Sequence, residues 1–268
     1  MALISLFAGA IGWLIRRQEV AAVFDPNTGL AEPGAPITTV LIVVSLVTVA
    51  LLFGLSFTVS KERSLTTFRD AFGGSVFGTA SFTVLGLAVA ALAALEMVWL
   101  FQTADGPGGL ATVRLLAALL AGLCLLLTAL LGTRGSNVAI PAAAPVFWLC
   151  AWLVVKHIDR AADPVILSYA YHLFALAALL LALYYVAGYA FGKHQPRRLM
   201  FCSSVAVYFT GVTMGDDLSF PIRGTLLALA ATVLIYQLVL TGNLARGGFA
   251  EASRTGGNMD ERHEEINE

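Results

Sequence analysis

The chain has 268 residues, of which 58% are hydrophobic and 12% charged, with a mean hydropathy of +0.82. Soluble domains carry roughly 25% charged residues, so a soluble fold is excluded. The formal net charge of −1 gives no basic surface of the kind nucleic acid requires.

The first apolar run covers Met1–Ile15 and is followed by Arg16, Arg17, Gln18 and Glu19 before Val20–Phe24 resume. No basic segment precedes it, so a cleaved signal peptide is not expected. A helix continued to Phe24 is long enough to cross the hydrocarbon, with both arginines snorkelling to the interface. Asp25–Pro36 is dense in turn formers and reads as a loop. Ile37–Val59 is an uninterrupted apolar span, and a polar linker with Lys61, Arg63 and Arg69 follows. The third span, Ser75–Phe101, carries Gly78, Gly86, Ala90 and Ala94 at four-residue spacing, which predicts a packing helix rather than a lipid-facing one.

A short Gly-rich loop, Gln102–Gly109, makes the next span, Ala111–Leu131, an antiparallel neighbour of the third. Ile140–Val155 is a short span with Pro141, Pro145, Trp148 and Trp152. Asp163 and Pro164 then form a cap and a first helical position for the cleanest span, Val165–Phe191. Its tyrosines sit near both ends and Lys193, Arg197 and Arg198 close it, as aromatic belts and a cytoplasmic end require. Leu199–Met214 is a modest span, Gly215-Asp216-Asp217 a loop, and Thr225–Leu244 the last span. Residues 245–268 are Gly- and Glu-rich and are expected to be a disordered polar tail. Cys124, Cys150 and Cys202 each lie inside a span and read as small buried hydrophobes rather than disulfide or metal ligands.

Eight spans place ten Lys and Arg residues on one side and six on the other, so the richer side, with both termini, is expected to be cytoplasmic. Arg16 and Arg17 run against that order, and a first helix lying in the interface, which leaves seven spans, would remove the conflict. A faint echo links Arg16, Arg17, Ala21, Ala22, Asp25, Pro26 with Lys156, Arg160, Ala161, Ala162, Asp163, Pro164, as in a parallel repeat of four helices each. Against it, Ala is abundant and Asp-Pro is an ordinary helix start.

Glu96 and Arg114 are the charges nearest the membrane interior, at matching ends of adjacent antiparallel spans. They form either an interfacial ion pair or a carboxylate site facing a water-filled cavity. His172 is the one histidine inside a span, with no His, Cys or carboxylate at i+3 or i+4, so it supplies neither a zinc nor a haem site. It reads as an interhelical hydrogen bond or a proton relay. Asp216 and Asp217 read as a solvated loop with helix caps, since Thr213 occupies the glycine position an aspartyl intramembrane protease needs. Every lysine lies at a helix end, which excludes a retinal Schiff base, and no phosphate loop occurs.

The expected class is an all-α polytopic transmembrane helix bundle of eight helices, with one domain over 1–244 and a cytoplasmic tail over 245–268. No catalytic constellation, cofactor site or metal site is expected. Helix number and the polar residues Glu96, Arg114 and His172 lean towards a small-molecule or ion permease of the cell membrane. The alternative is a sensor, assembly factor or partner subunit, whose partners beyond the bilayer the sequence does not name.

Overall fold

The computed structural model describes residues 1–24, 34–59, 65, 67–73, 76–102, 108–132, 137–159 and 169–265, with the backbone alone for 76, 159 and 246–265. The chain order is α1 (Ala2–Val23), α2 (Pro36–Ser56), α3 (Phe68–Phe72), α4 (Val76–Phe101), α5 (Gly109–Gly132), α6 (Ala139–Asp159), α7 (Ala170–Ala190), α8 (Pro196–Thr213) and α9 (Phe220–Glu265). The fold is a helical membrane bundle. Among the described residues six helices, α2, α4, α5, α6, α7 and the first half of α9, are long and apolar enough to cross a bilayer. Their outward faces carry residues such as Ile140 and Phe147, 84% and 73% exposed, as lipid contact permits and water does not.

Helices α4 to α9 each pack on their successor, and α9 returns to α4, so six helices close a ring. Helix α1 lies on α8, and α2 lies on both. Ring closure follows from small residues where helices meet. A Cβ added at Gly122 would stand 2.6 Å from the Ala90 nitrogen, and one at Gly86 would stand 2.8 Å from the Leu126 nitrogen. Those pairings run in opposite directions along α4 and α5, which are therefore antiparallel. By contrast Gly9 meets Gly211 and Gly12 meets Val212, so α1 runs parallel to α8 along its length rather than across the bundle's end.

The ring's interior at the α3 end is aromatic. Tyr236 of α9 stacks on Phe82 of α4 with ring centroids 4.1 Å apart, and Phe72 of α3 meets Tyr236 at 4.9 Å and Tyr189 at 5.1 Å. The five-residue α3 thus inserts two phenylalanines, Phe68 and Phe72, between α5, α7 and α9. Thr67 caps it by accepting from the Asp70 amide at 3.1 Å. The Asn243 amide of α9 donates towards the carbonyls of Ala71, Gly73 and Asp70 at 2.9, 3.3 and 3.4 Å, satisfying its C-terminal acceptors.

Several expectations change. The polar linker contains α3, too short to show a period. The third span buries one face against α5 and α9, but Phe77 and Val84 face outward at 71% and 63% exposure, so it is not purely a packing helix. Cys150 is exposed rather than buried, because it falls on the outward face of α6. The sixth span is helical from Ala170; Asp163 and Pro164 lie outside the described residues. The echo finds no counterpart in the packing: α1 lies on α8, whereas α6 packs on α5 and α7 and not appreciably on α4, as a two-fold relation demands. The backbone of α9 continues as helix to Glu265.

The α4–α5 seam yields a test. Gly122→Val should destabilise the protein by about 1–3 kcal/mol through overpacking. Gly54→Ala, which meets nothing within 4 Å, should be neutral or stabilising. Thermal melting of both variants in detergent checks the contrast.

Candidate functional site

The opposite end of the ring is polar. Helix α1 is one continuous helix through Arg16, Arg17 and Glu19. That places Arg16 and Glu19 one turn apart on its α8-facing side, while Arg17 points away and is exposed. Arg16 is 1% exposed and Glu19 fully buried, so the expected snorkelling of Arg16 is overturned: its stem is turned inward by the parallel packing on α8. The Arg16 Nη1 donates to Glu19 Oε2 at 2.7 Å and its Nε donates to Asp216 Oδ1 at 2.6 Å. Asp216 belongs to the α8–α9 turn and is 7% exposed, which corrects the reading of a solvated loop; its neighbour Asp217 is the exposed one.

Gly215 makes the bridge possible. A Cβ there would stand 2.9 Å from both the Cβ and the Cγ of Arg16. The turn after α8 therefore touches α1 directly, and Asp216 reaches the guanidinium. Arg223 of α9 donates to the Asp216 carbonyl at 3.1 Å, fixing the turn from its other side. The guanidinium carbon also sits over the Tyr171 ring at 5.1 Å and the Phe24 ring at 5.6 Å, a cation–π arrangement that compensates part of its desolvation.

Among the described residues Asp216 Oδ2 and Glu19 Oε1 have no hydrogen-bond partner. Burial pushes the Asp216 carboxyl above the ordinary aspartate range, against the lowering effect of Arg16. A pocket of about 180 Å³ opens at this point, walled by Arg16 and Val20 of α1, Lys156 of α6, Tyr169 and His172 around the start of α7, and Asp216 with Asp217. The space is large enough for several waters, or for one small solute in their place.

His172, 1% exposed, lines this pocket and meets the edge of Trp152 at 6.0 Å. Trp152 in turn lies under the Arg114 guanidinium at 5.4 Å. Arg114 donates to Glu96 at 2.5 Å, and both are buried. The three polar residues singled out from the sequence thus occur at one end of the ring: Glu96 and Arg114 as an ion pair between α4 and α5, and His172 across Trp152 from them. Glu96 does not line the pocket. Among the described residues no three His, Cys, Asp or Glu side chains gather to hold a metal ion.

Sequence reasoning misses Arg16, Glu19 and Asp216 as a unit. The available signal is Arg and Glu at i, i+3 inside the first apolar segment, since charge carried into a membrane bundle is paired. The partner Asp216 stands 200 residues away, and no local pattern announces it.

Removing the cation should be severe. Arg16→Met leaves two buried carboxylates without their donor and is expected to cost about 3–5 kcal/mol, whereas Arg17→Met should be near neutral. Melting of the two variants side by side checks this. Compared with known protein families, with curated proteins and with solved structures, the chain matches none significantly.

Proposed function

We propose that this multi-pass membrane protein is a permease-type carrier of a small polar solute or ion, without enzymatic activity, whose ligand site is the pocket beside Arg16, His172 and Asp216. The observation that carries the reading is a pocket of about 180 Å³ walled by charged residues from α1, α6 and the α8–α9 turn and by His172 of α7, at the end of an otherwise apolar ring. Buried charge in a bilayer protein is expensive and marks solute or ion paths more often than scaffolding. The aromatic plug of Phe72, Tyr236 and Phe82 at the other end supplies the barrier that a carrier needs on the side opposite an open site. With α1 and α8 as crossing helices, the chain crosses eight times, and the charge bias puts both termini in the cytoplasm of the cell membrane and the pocket on the outer side.

A partner-subunit reading has one observation in its favour. A groove of about 420 Å³ runs between α1 and α9 over α8, and the small residues Ala10 and Ala231 in its walls would let another helix approach closely.

The two readings separate in a melting screen of the purified protein against small ions, amino acids and organic acids. A ligand of the folded state at about a hundredfold excess over its Kd adds about 2.7 kcal/mol of stability. The carrier reading expects such a shift for a small charged solute, lost in His172→Ala and retained in Cys150→Ala. A panel flat for every compound, with His172→Ala altering nothing but stability, favours the partner subunit instead.

A further inference from the structure

Arg16, Glu19 and Asp216 form a buried group of one cation and two anions. Within that hydrogen-bonded trio the anions outnumber the cation by one, and Lys156 of α6 offsets the excess only weakly and from a distance, which is costly in a low-dielectric site. Each carboxylate spends one oxygen on Arg16, and the other oxygen, Glu19 Oε1 or Asp216 Oδ2, is buried without a partner among the described residues. A single proton added at either orphaned oxygen would balance the three charges. Of the two residues, Asp216 lines the pocket and Glu19 does not.

We propose that Asp216 is a proton-binding site: its Oδ2 takes one proton from pocket water, leaving Arg16 and Glu19 as a neutral ion pair and Asp216 as a neutral acid that still accepts from Arg16 at Oδ1. The inference rests on the pocket being the ligand site and makes the proton a coupling ion of the carrier. The balance is simple: the O–H bond forms at Oδ2, water loses the proton and regains one by bulk exchange, and no other bond changes. Loss of the proton restores the excess negative charge beside the pocket, where a cationic or ammonium-bearing solute then takes its place.

The surrounding groups act in both senses. Glu19 raises the proton affinity of Asp216, while Arg16, and more weakly Lys156 of α6, lower it; burial outweighs them. Asp217 beside it and His172 of α7 face the same pocket. Arg223 of α9 is engaged at the Asp216 backbone carbonyl rather than at its carboxylate. Tyr171 lies against the face of the guanidinium. An aspartate whose titration is raised by folding contributes stability fully at low pH, and that contribution is lost as pH rises through its native titration.

The test is an infrared pH titration of the full-length protein in lipid nanodiscs, with aspartate isotopically labelled in its side-chain carboxyl and no solute added. The expected result is one labelled protonated-carboxyl band per chain that persists well above the ~3.9 of free aspartate. Asp216→Asn should abolish it, and Glu19→Gln should move its midpoint down by removing a like charge. Labelled carboxyls that are all ionised above the ordinary range overturn the proposal, as does a band unchanged in Asp216→Asn. If that variant does not fold, the wild-type titration and the Glu19→Gln shift decide alone. Persistence of the band with a flat solute screen would retain the proton site and defeat the carrier reading. Solute binding without the band would do the reverse.

Discussion

The bundle depends on the polar side chains that α8 carries. A bilayer offers no water to polar groups, so those that α8 carries have to be answered by other helices. Asp216 just beyond its end binds Arg16 of α1 at 2.6 Å, Tyr208 shares a 2.9 Å hydrogen bond with Ser45 of α2, and Ser204 exchanges bonds with Gln237 of α9 at 3.0 and 3.4 Å. Near the other end Arg197 donates to the Val59 carbonyl at 2.7 Å, beyond α2. These bonds recruit α1 and α2 to the outside of a ring that α4 to α9 already close. Without them the charged turn of α1, Arg16 to Glu19, would lose its polar attachment to the turn after α8.

The two ends of the ring are built from different physics. At the α3 end, aromatic rings fill the space and hydrogen bonds serve to hold a short helix in register. At the Arg16 end, charge fills it, and the two ion pairs there are not equivalent. Glu96 and Arg114 cancel one another, between neighbouring antiparallel helices joined by a short connection, and behave as a clasp. Arg16 faces two carboxylates drawn from opposite ends of the chain, and its excess charge is exposed to a pocket. Trp152 lies between the two systems, against His172 on one side and Arg114 on the other.

The helices are legible in the sequence because hydrocarbon imposes a length and a composition that soluble cores do not. The pairing of Glu96 with Arg114 is legible too, since a short Gly-rich connection sets those residues at matching heights. What is not legible has one physical cause in each case. The residues of α3 are too few for a period, and their helix exists because Asn243, far along the chain, donates to its carbonyls. Arg16 reads as a snorkelling residue because composition gives depth along a helix but not which side of it faces protein. Asp216 reads as a cap because a Gly-Asp-Asp turn looks the same whether or not an arginine stands above it.

Gly215 shows how narrow that distinction is. Any side chain there would occupy the space now held by the Arg16 stem, its first carbon standing 2.9 Å from that stem, and the turn would have to withdraw from α1. Asp216 would then meet water instead of a guanidinium, Arg16 and Glu19 would be left as a local pair on α1, and the excess negative charge would disperse into solvent. The pocket's chemistry therefore rests less on its charged residues, each of which is ordinary at a membrane surface, than on one missing methyl group that brings them out of water together.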